Sequence, residues 1–248
     1  MNNNDFRNFA VKHLGKNGTS VDDVIAHQIK AMTPYILEER EMRVTQMDVF
    51  SRLMMDKIIW VSGVVDDVMA DIIQAQLLFL DSVEEKKDVT LQINTQGGSV
   101  LHGLGIRDVM NYVTSDIKTV NLGMCASMGS ILLSSGTKGK RSSLIYSRIM
   151  THHVSSGTQG VVDEQRISML ETEKYNYLLF KILAENTGKS FEEIHDLSNR
   201  DKWFNSDEAL EYGLIDEIIG LDKHNSITEM MVGFDDYYDK YVMKGLKK

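Results

Sequence analysis

Proline and cysteine are nearly absent from this sequence: Pro34 and Cys125 are the only ones among 248 residues. A single cysteine excludes an intramolecular disulfide framework and fits a reducing compartment. Cys125 itself reads as a small buried residue rather than a reactive thiol. With one proline near the start, helices downstream can run without a break. No apolar run approaches the ~18 residues of a membrane span. The opening Met1-Asn2-Asn3-Asn4-Asp5 lacks the basic and apolar regions of a secretory signal. A cytoplasmic protein with no membrane partner is the expectation. Positive charge is also scarce, with 27 Lys and Arg against 36 Asp and Glu; the net charge of −9 argues against nucleic acid as a partner. CxxC and HxxxH pairs, the phosphate-cradling GxxxxGK[ST] loop and GxGxxG are all missing, so no metal and no cofactor is expected.

What is present is ordinary for a globular chain: 42% apolar and 25% charged residues, enough for one large or two small domains. Residues 1–33 are polar and then weakly periodic (Val21, Val24, Ile25, Ile29), and read as an extension, removable or disordered, with room for a short helix. Pro34 to Arg43 is charge-rich and reads as exposed. From residue 50 a repeating texture begins. Phe50–Met55 is helix-like, Lys57–Val61 a buried strand and Asp66 or Asp67 the cap of a helix to about Ser82. That helix carries Met69, Ile72, Ile73, Leu77 and Leu80 on one stripe. Val89–Ile93 is a strand, Gly97-Gly98 a turn, Val100–Val113 a helix with Gly103 and Gly105 as close-packing positions, and Ile117–Leu122 a strand. Strand–helix–strand repetition predicts an α/β fold on a parallel sheet. Further on come a strand over Ser143–Met150, a loose Val154–Gly160 and one long helix from Val161 to about Asn186. The helix is charged in its first half and apolar in its second, so it projects into solvent or packs on another copy. Ser190-x-x-Glu193 reads as a capping box, and Ser206 as the cap of a helix stopped by Gly213. Leu214–Ile219 closes a core spanning 34–220; the tail 221–248 has no assignable structure.

Ser127, in Gly123-Met124-Cys125-Ala126-Ser127-Met128-Gly129-Ser130, stands where a strand gives way to a helix. Unpaired N–H groups and the helix dipole favour both a nucleophile and its oxyanion there. A plain Ser N-cap explains the position equally well. The GxSxG elbow is not matched, because Cys125 replaces its first glycine. His152 and His153 end a strand and point to opposite faces, so one of them can reach a strand-end site. Gly97-Gly98 lies at an equivalent end. Together these groups fit acyl transfer.

Five segments carry a more specific signal: Asn94-Thr95-Gln96-Gly97-Gly98-Ser99-Val100, Gly123 to Gly129, Met150-Thr151-His152, Asn199-Arg200-Asp201-Lys202-Trp203, and Glu208 to Asp216. In this order and spacing they resemble the ClpP family, the proteolytic subunit of the ATP-dependent Clp protease, over about residues 35–220. The resemblance implies a ClpP/crotonase-type α/β spiral of parallel strands and helices with a projecting handle helix. It implies Ser127 as nucleophile, His152 as general base and acid, and Asp201 as the orienting carboxylate. Gly98 and Met128 would supply oxyanion N–H groups, while Gly97 and the segment holding Ser155, Ser156, Gly157 and Thr158 would bind extended substrate. The implied function is a serine endopeptidase cleaving unfolded polypeptides inside a barrel of two stacked heptameric rings, fed by an ATPase of the ClpX or ClpA/ClpC type. The sequence departs from the family at Gln96, where proline is usual, at His153-Val154 for Gln-Pro, and at Asn199, where many members carry an acid that pairs across rings. These departures motivate the alternatives of a structural or regulatory subunit in a mixed barrel, against which the complete Ser–His–Asp set argues, and of a crotonase-like acyl-CoA enzyme, which needs no such set.

Overall fold

The computed structural model describes residues 35–40, 43–83, 86–222 and 224–243, with side chains from residue 48 onward. The expectation for residues 1–33, and the exposure expected of residues 34–43, lie outside the described residues and side chains. The chain divides into two compact units, residues 1–56 and 57–248. The first contains an antiparallel pair, β1 (Tyr35–Arg40) and β2 (Arg43–Asp48), followed by α1 (Val49–Met55). Asp48 caps α1, its carboxylate accepting from the Ser51 N–H at 2.9 Å.

The second unit is a seven-stranded, mostly parallel sheet flanked by helices. Its strands are β3 (Ile58–Val65), β4 (Val89–Gly98), β5 (Ile117–Ala126), β6 (Arg141–Leu144), β7 (Arg148–Thr151), β8 (Lys202–Phe204) and β9 (Glu217–Ile219). The path β3-β4-β5-β6-β9 is parallel throughout; β7 pairs parallel with β5 and antiparallel with β8. Alternation buries Ile59, Val61 and Val65 on β3 and Val89, Leu91 and Ile93 on β4. Helix α2 (Asp67–Val83) covers this face with Ala70, Ile73, Leu77 and Leu80, at helical spacing. Ile72, expected on the buried stripe, is instead exposed: the buried face turns toward Ala70 and away from Ile72. Helix α3 (Val100–Tyr112) buries Gly103, Ile106 and Met110. Gly103 packs closely on Met128: a Cβ there would stand 2.3 Å from Met128 Cγ, so the methionine side chain would have to move.

Three further expectations need correcting. The strand expected over Ser143–Met150 is two strands, because Ser147 N–H donates to the Leu144 carbonyl at 3.1 Å and turns the chain. Strand β5 exchanges β6 for β7 at that point, and Asn121 bridges the change: its amide donates to Arg148 O and its Oδ1 accepts from Gly123 N–H, both at 3.2 Å. Gly97-Gly98 is not a turn but the end of β4, still paired with Val64 and Val65 of β3. Finally, Asn205, not Ser206, caps α7 (Ser206–Tyr212), in a reciprocal box with Glu208. The Ser206 hydroxyl donates instead to the buried Ile145 carbonyl at 2.6 Å.

Helix α4 (Met128–Ser134) is wholly buried. Helix α5 (Val162–Thr187) matches the long helix expected: its first half is exposed nearly all round, and its second half buries Leu179, Phe180, Ile182 and Leu183. A left-handed Gly188 ends it. Helix α6 (Phe191–Leu197) keeps half of the predicted box, with Ser190 Oγ accepting from Glu193 N–H at 3.1 Å. The tail forms α8 (Ile227–Met230), α9 (Phe234–Tyr237) and a π-helical turn over Tyr238–Met243. Among the described residues no helix is long and apolar enough to cross a membrane.

Candidate active site

Strands β4, β5 and β7 end side by side, and the groups singled out above gather there. Strand β5 runs into α4 through Ser127, whose backbone sits at φ 54°, ψ −120°. A non-glycine residue there is strained by roughly 1–3 kcal/mol. Three bonds hold it: the Ser127 N–H donates to Met150 O at 2.8 Å, and the Ser127 carbonyl accepts from Ser130 N–H at 3.0 Å and Ser130 Oγ at 2.7 Å. The result is a sharp strand-to-helix elbow without the GxSxG sequence. Ser127 occupies the N-cap position of α4, but its hydroxyl makes no capping bond. It lies instead 2.8 Å from His152 Nε2.

His152 follows directly on β7, and its Nδ1 lies 3.4 Å from Asp201 Oδ1. That meeting follows from the antiparallel β7–β8 ladder. Its last pair is Thr151 with Lys202, so residues 152 and 201 come next in line on the two strands. With Nδ1 protonated toward Asp201, Nε2 is free to accept the Ser127 hydroxyl proton. The imidazole is about a quarter exposed and the Asp201 carboxylate 64% exposed. His153 points away from Ser127, its ring edge-on to Phe180 at 4.9 Å.

The β4 end is shaped by Thr95. Its hydroxyl donates to Gly63 O and accepts from Gly97 N–H, closing a bulge that leaves Gly97 in left-handed backbone at φ +92°. Asn94 Oδ1 accepts from Met124 N–H at 3.1 Å where the β4–β5 ladder shifts register. A Cβ on Gly97 would meet Ala126 O at 2.6 Å, Ser127 Cβ at 2.8 Å and Met128 N at 2.9 Å, so this glycine is pressed against the elbow.

Beside Ser127 and His152 lies a cavity of about 210 Å³. Gly98, Met128 and Ser155 line it, and its apolar wall is Ile131, Met150, Leu179, Phe180 and Leu183. Of the remaining expected substrate contacts, Ser156 accepts from the Thr172 hydroxyl at 3.0 Å, and Gly157 and Thr158 lie outside the cavity lining. Residues 152–159 form no strand. Gln96, singled out as a departure from the family, is exposed and lines the cavity, whereas Phe180 was missed by the sequence reading because it gives no local signal. Cys125 is fully buried, and burial pushes its thiol well above the usual range, so it is no competing nucleophile.

A mostly parallel α/β sheet that collects a serine, a histidine and a carboxylate at its strand ends has the architecture of a hydrolase. Comparison with known proteins narrows the class. A family model described as Clp protease matches residues 39–222. The ATP-dependent Clp protease proteolytic subunit of Bacteroides fragilis (strain YCH46) is 50% identical over 215 residues, covering 87% of this chain and 98% of that protein. Proteins of the same description from Porphyromonas gingivalis and Streptococcus agalactiae are 45% and 44% identical over 216 and 190 residues, covering 87% and 76% of this chain and 97% of each relative. The chain belongs to the Clp protease family and is a peptidase by that membership.

Gly97→Ala tests the elbow. The added methyl has no room and an unfavourable φ, so Ser127 and Met128 must shift. A displacement of about 1 Å costs roughly 100-fold in rate, and peptide hydrolysis by the variant is expected to fall by that much or more. Thermal melting of the same sample checks that the fold survives.

Proposed function

We propose that this chain is the serine endopeptidase subunit of an ATP-dependent Clp-type protease, with Ser127 as nucleophile, His152 as general base and acid and Asp201 as the orienting carboxylate. One observation carries the proposal: the 2.8 Å contact between Ser127 Oγ and His152 Nε2, made by a serine held in strained backbone at a strand–helix junction. In the reaction Ser127 Oγ attacks the scissile carbonyl while His152 takes its proton. The new oxyanion sits against the backbone N–H groups of Gly98 and Met128, the latter at the open N-terminal end of α4. His152 returns the proton to the leaving amine, and water repeats the sequence on the acyl-enzyme. Asp201 keeps the imidazole in the tautomer that accepts at Nε2 and offsets its charge when protonated. The apolar wall of the 210 Å³ cavity suits a medium-sized apolar side chain at the residue before the cleaved bond. Gly97 and Ser155 to Thr158 flank the path of an extended peptide.

Assembly into two stacked heptameric rings is part of the same proposal. The exposed half of α5 carries Ile167, Met169 and Leu170, and α2 exposes Val68, Ile72, Leu78 and Phe79. Single apolar residues on a surface need no explanation, but rows of them on two helices suit burial against further copies. The chain carries no phosphate-cradling motif, so a separate Clp ATPase would unfold the polypeptides and deliver them, and a cytoplasmic location fits that partnership.

The test is labelling with a fluorophosphonate probe, together with peptidase assays of His152→Ala and His153→Ala. His152→Ala is expected to lose both labelling and turnover, by at least about a thousandfold. His153→Ala stays labelled and keeps activity within about tenfold of wild type. An active His152 variant beside a dead His153 variant would reverse the assignment.

A further inference from the structure

The His–Asp contact of the proposed triad lies one residue beyond the last pair of the β7–β8 ladder, where strand pairing no longer holds the two segments. His152 begins the strandless stretch after β7, and Asp201 follows α6 in an exposed loop. Both are fastened to the middle of α5. On one side, Asn176 Oδ1 accepts from Val154 N–H at 2.6 Å, and the Phe180 ring meets His153 edge-on at 4.9 Å. On the other side, α6 lays Phe191 against Tyr177 at 5.1 Å and His195 edge-on to Phe180 at 5.9 Å. The two attachments then touch each other: the His153 and His195 rings stand T-shaped at 5.4 Å. His153 Nε2 is buried with no hydrogen-bond partner among the described residues, and the ring packs against those of Phe180 and His195. Charged groups beside the rings include Asp196, whose Oδ1 is 3.2 Å from His195 Nδ1, and Lys181, whose Nζ is 5.6 Å from the centre of the Phe191 ring.

We infer that the rings of His153, Phe180 and His195 form an aromatic clasp that sets the His152–Asp201 contact, which makes His195 a positioning residue for the reaction. The inference rests on the triad proposed above. His195 is not itself part of the cavity lining; it sits six residues before Asp201, near the end of the helix from which Asp201 departs. Phe180 belongs to both the clasp and the cavity wall, so filling of the cavity by a substrate side chain presses on the same ring that aligns the triad.

The experiment compares His195→Ala, His195→Leu and His195→Phe in steady-state peptide hydrolysis. Loss of the ring lets Asp201 drift, and kcat is expected to fall roughly 10-fold in the Ala and Leu variants with KM within about twofold, because the cavity is intact. His195→Phe keeps an edge and a face in the same place and restores kcat to within about twofold. The Leu and Phe variants have similar bulk, so their comparison stands even where His195→Ala fails to fold. The decisive measurement repeats His195→Leu on an Asp201→Ala background. A residue that acts through Asp201 costs little once Asp201 is gone, so the tenfold loss should disappear. Equal kcat in the Leu and Phe variants, or a loss repeated in full without Asp201, would overturn the inference. Failure of the triad reading is seen separately, as wild-type turnover by Ser127→Ala or by Asp201→Ala alone.

Discussion

Ser127→Ala is expected to lower peptide hydrolysis by at least about a thousandfold while leaving the fold intact. The chemical side is simple. Without the hydroxyl there is no acyl-enzyme, and what survives is the catalysis of bound substrate and oxyanion donors. The structural side is more discriminating. The substitution removes one hydrogen bond to His152, at about 0.5–1.5 kcal/mol, and changes no buried apolar contact. The positive φ at residue 127 remains, because alanine tolerates it no better than serine. Ser127→Gly removes the same hydroxyl but relaxes that strain, so it should be equally inactive and melt at a higher temperature than Ser127→Ala. A glycine variant that melts below the alanine one would mean that residue 127 is not strained in solution. Retained turnover in either variant would remove Ser127 from its role.

The largest effect on stability is expected outside the cavity lining, at Arg141 and Asp216. The guanidinium is almost wholly buried and bonds Asp216 twice, through Nη2 to Oδ1 at 2.6 Å and Nε to Oδ2 at 2.8 Å; Nη1 also donates to Ser134 O at 3.2 Å and to Asn186 O at 2.9 Å. Four segments meet at this one side chain: β6, the end of α4, the end of α5 and the approach to β9. Asp216→Asn keeps the shape and leaves the buried cation unmatched, which costs roughly 3–5 kcal/mol. Burial alone would raise the Asp216 carboxyl, but hydrogen bonds from the Arg141 side chain and backbone, and its charge, outweigh that and hold the group below its ordinary value of 3.8. A carboxyl depressed in the folded state stabilises fully above its unfolded value and loses that contribution as the pH falls through its folded one. Denaturant titrations of both proteins should therefore differ most at neutral pH and converge in acid, below the ordinary carboxylate range. A difference that grows in acid would contradict the assigned charge pairing.

Much of this architecture could be read from the sequence because its signals are local. Short apolar runs revealed β3, β4 and β5, helical spacing revealed α2, and the change from charge to apolarity along residues 161–186 revealed α5. Readings failed where a distant partner decides the outcome. Nothing near Gly97-Gly98 announces that Val64 and Val65 will continue the ladder, so two glycines looked like a turn. The division between β6 and β7 depends on Asn121 bridging from β5, and three-residue β8 exists only because β7 lies beside it. At the candidate site Ser127, His152 and Asp201 were legible through ordered segments of family resemblance, whereas the aromatic rings behind them were not. Phe180 and His195 are unremarkable in sequence, and only folding brings them against His153.

The β7–β8 ladder has one more consequence, for how such a chain can change over evolutionary time. The backbones of residues 152 and 201 are brought together by a register, Thr151 opposite Lys202, and the connecting path bears on them only through the clasp rings. Everything between residues 152 and 201, including all of α5 and α6, is a detour that leaves the sheet and returns to it. Whole helical turns can be gained or lost at the exposed far half of α5 without moving either residue, provided that the stretch around Asn176 and Phe180 stays seated. The surface on which copies would meet and the spacing on which proton transfer would depend thus vary independently within one chain. A family built this way can alter its assemblies while its chemistry stands still.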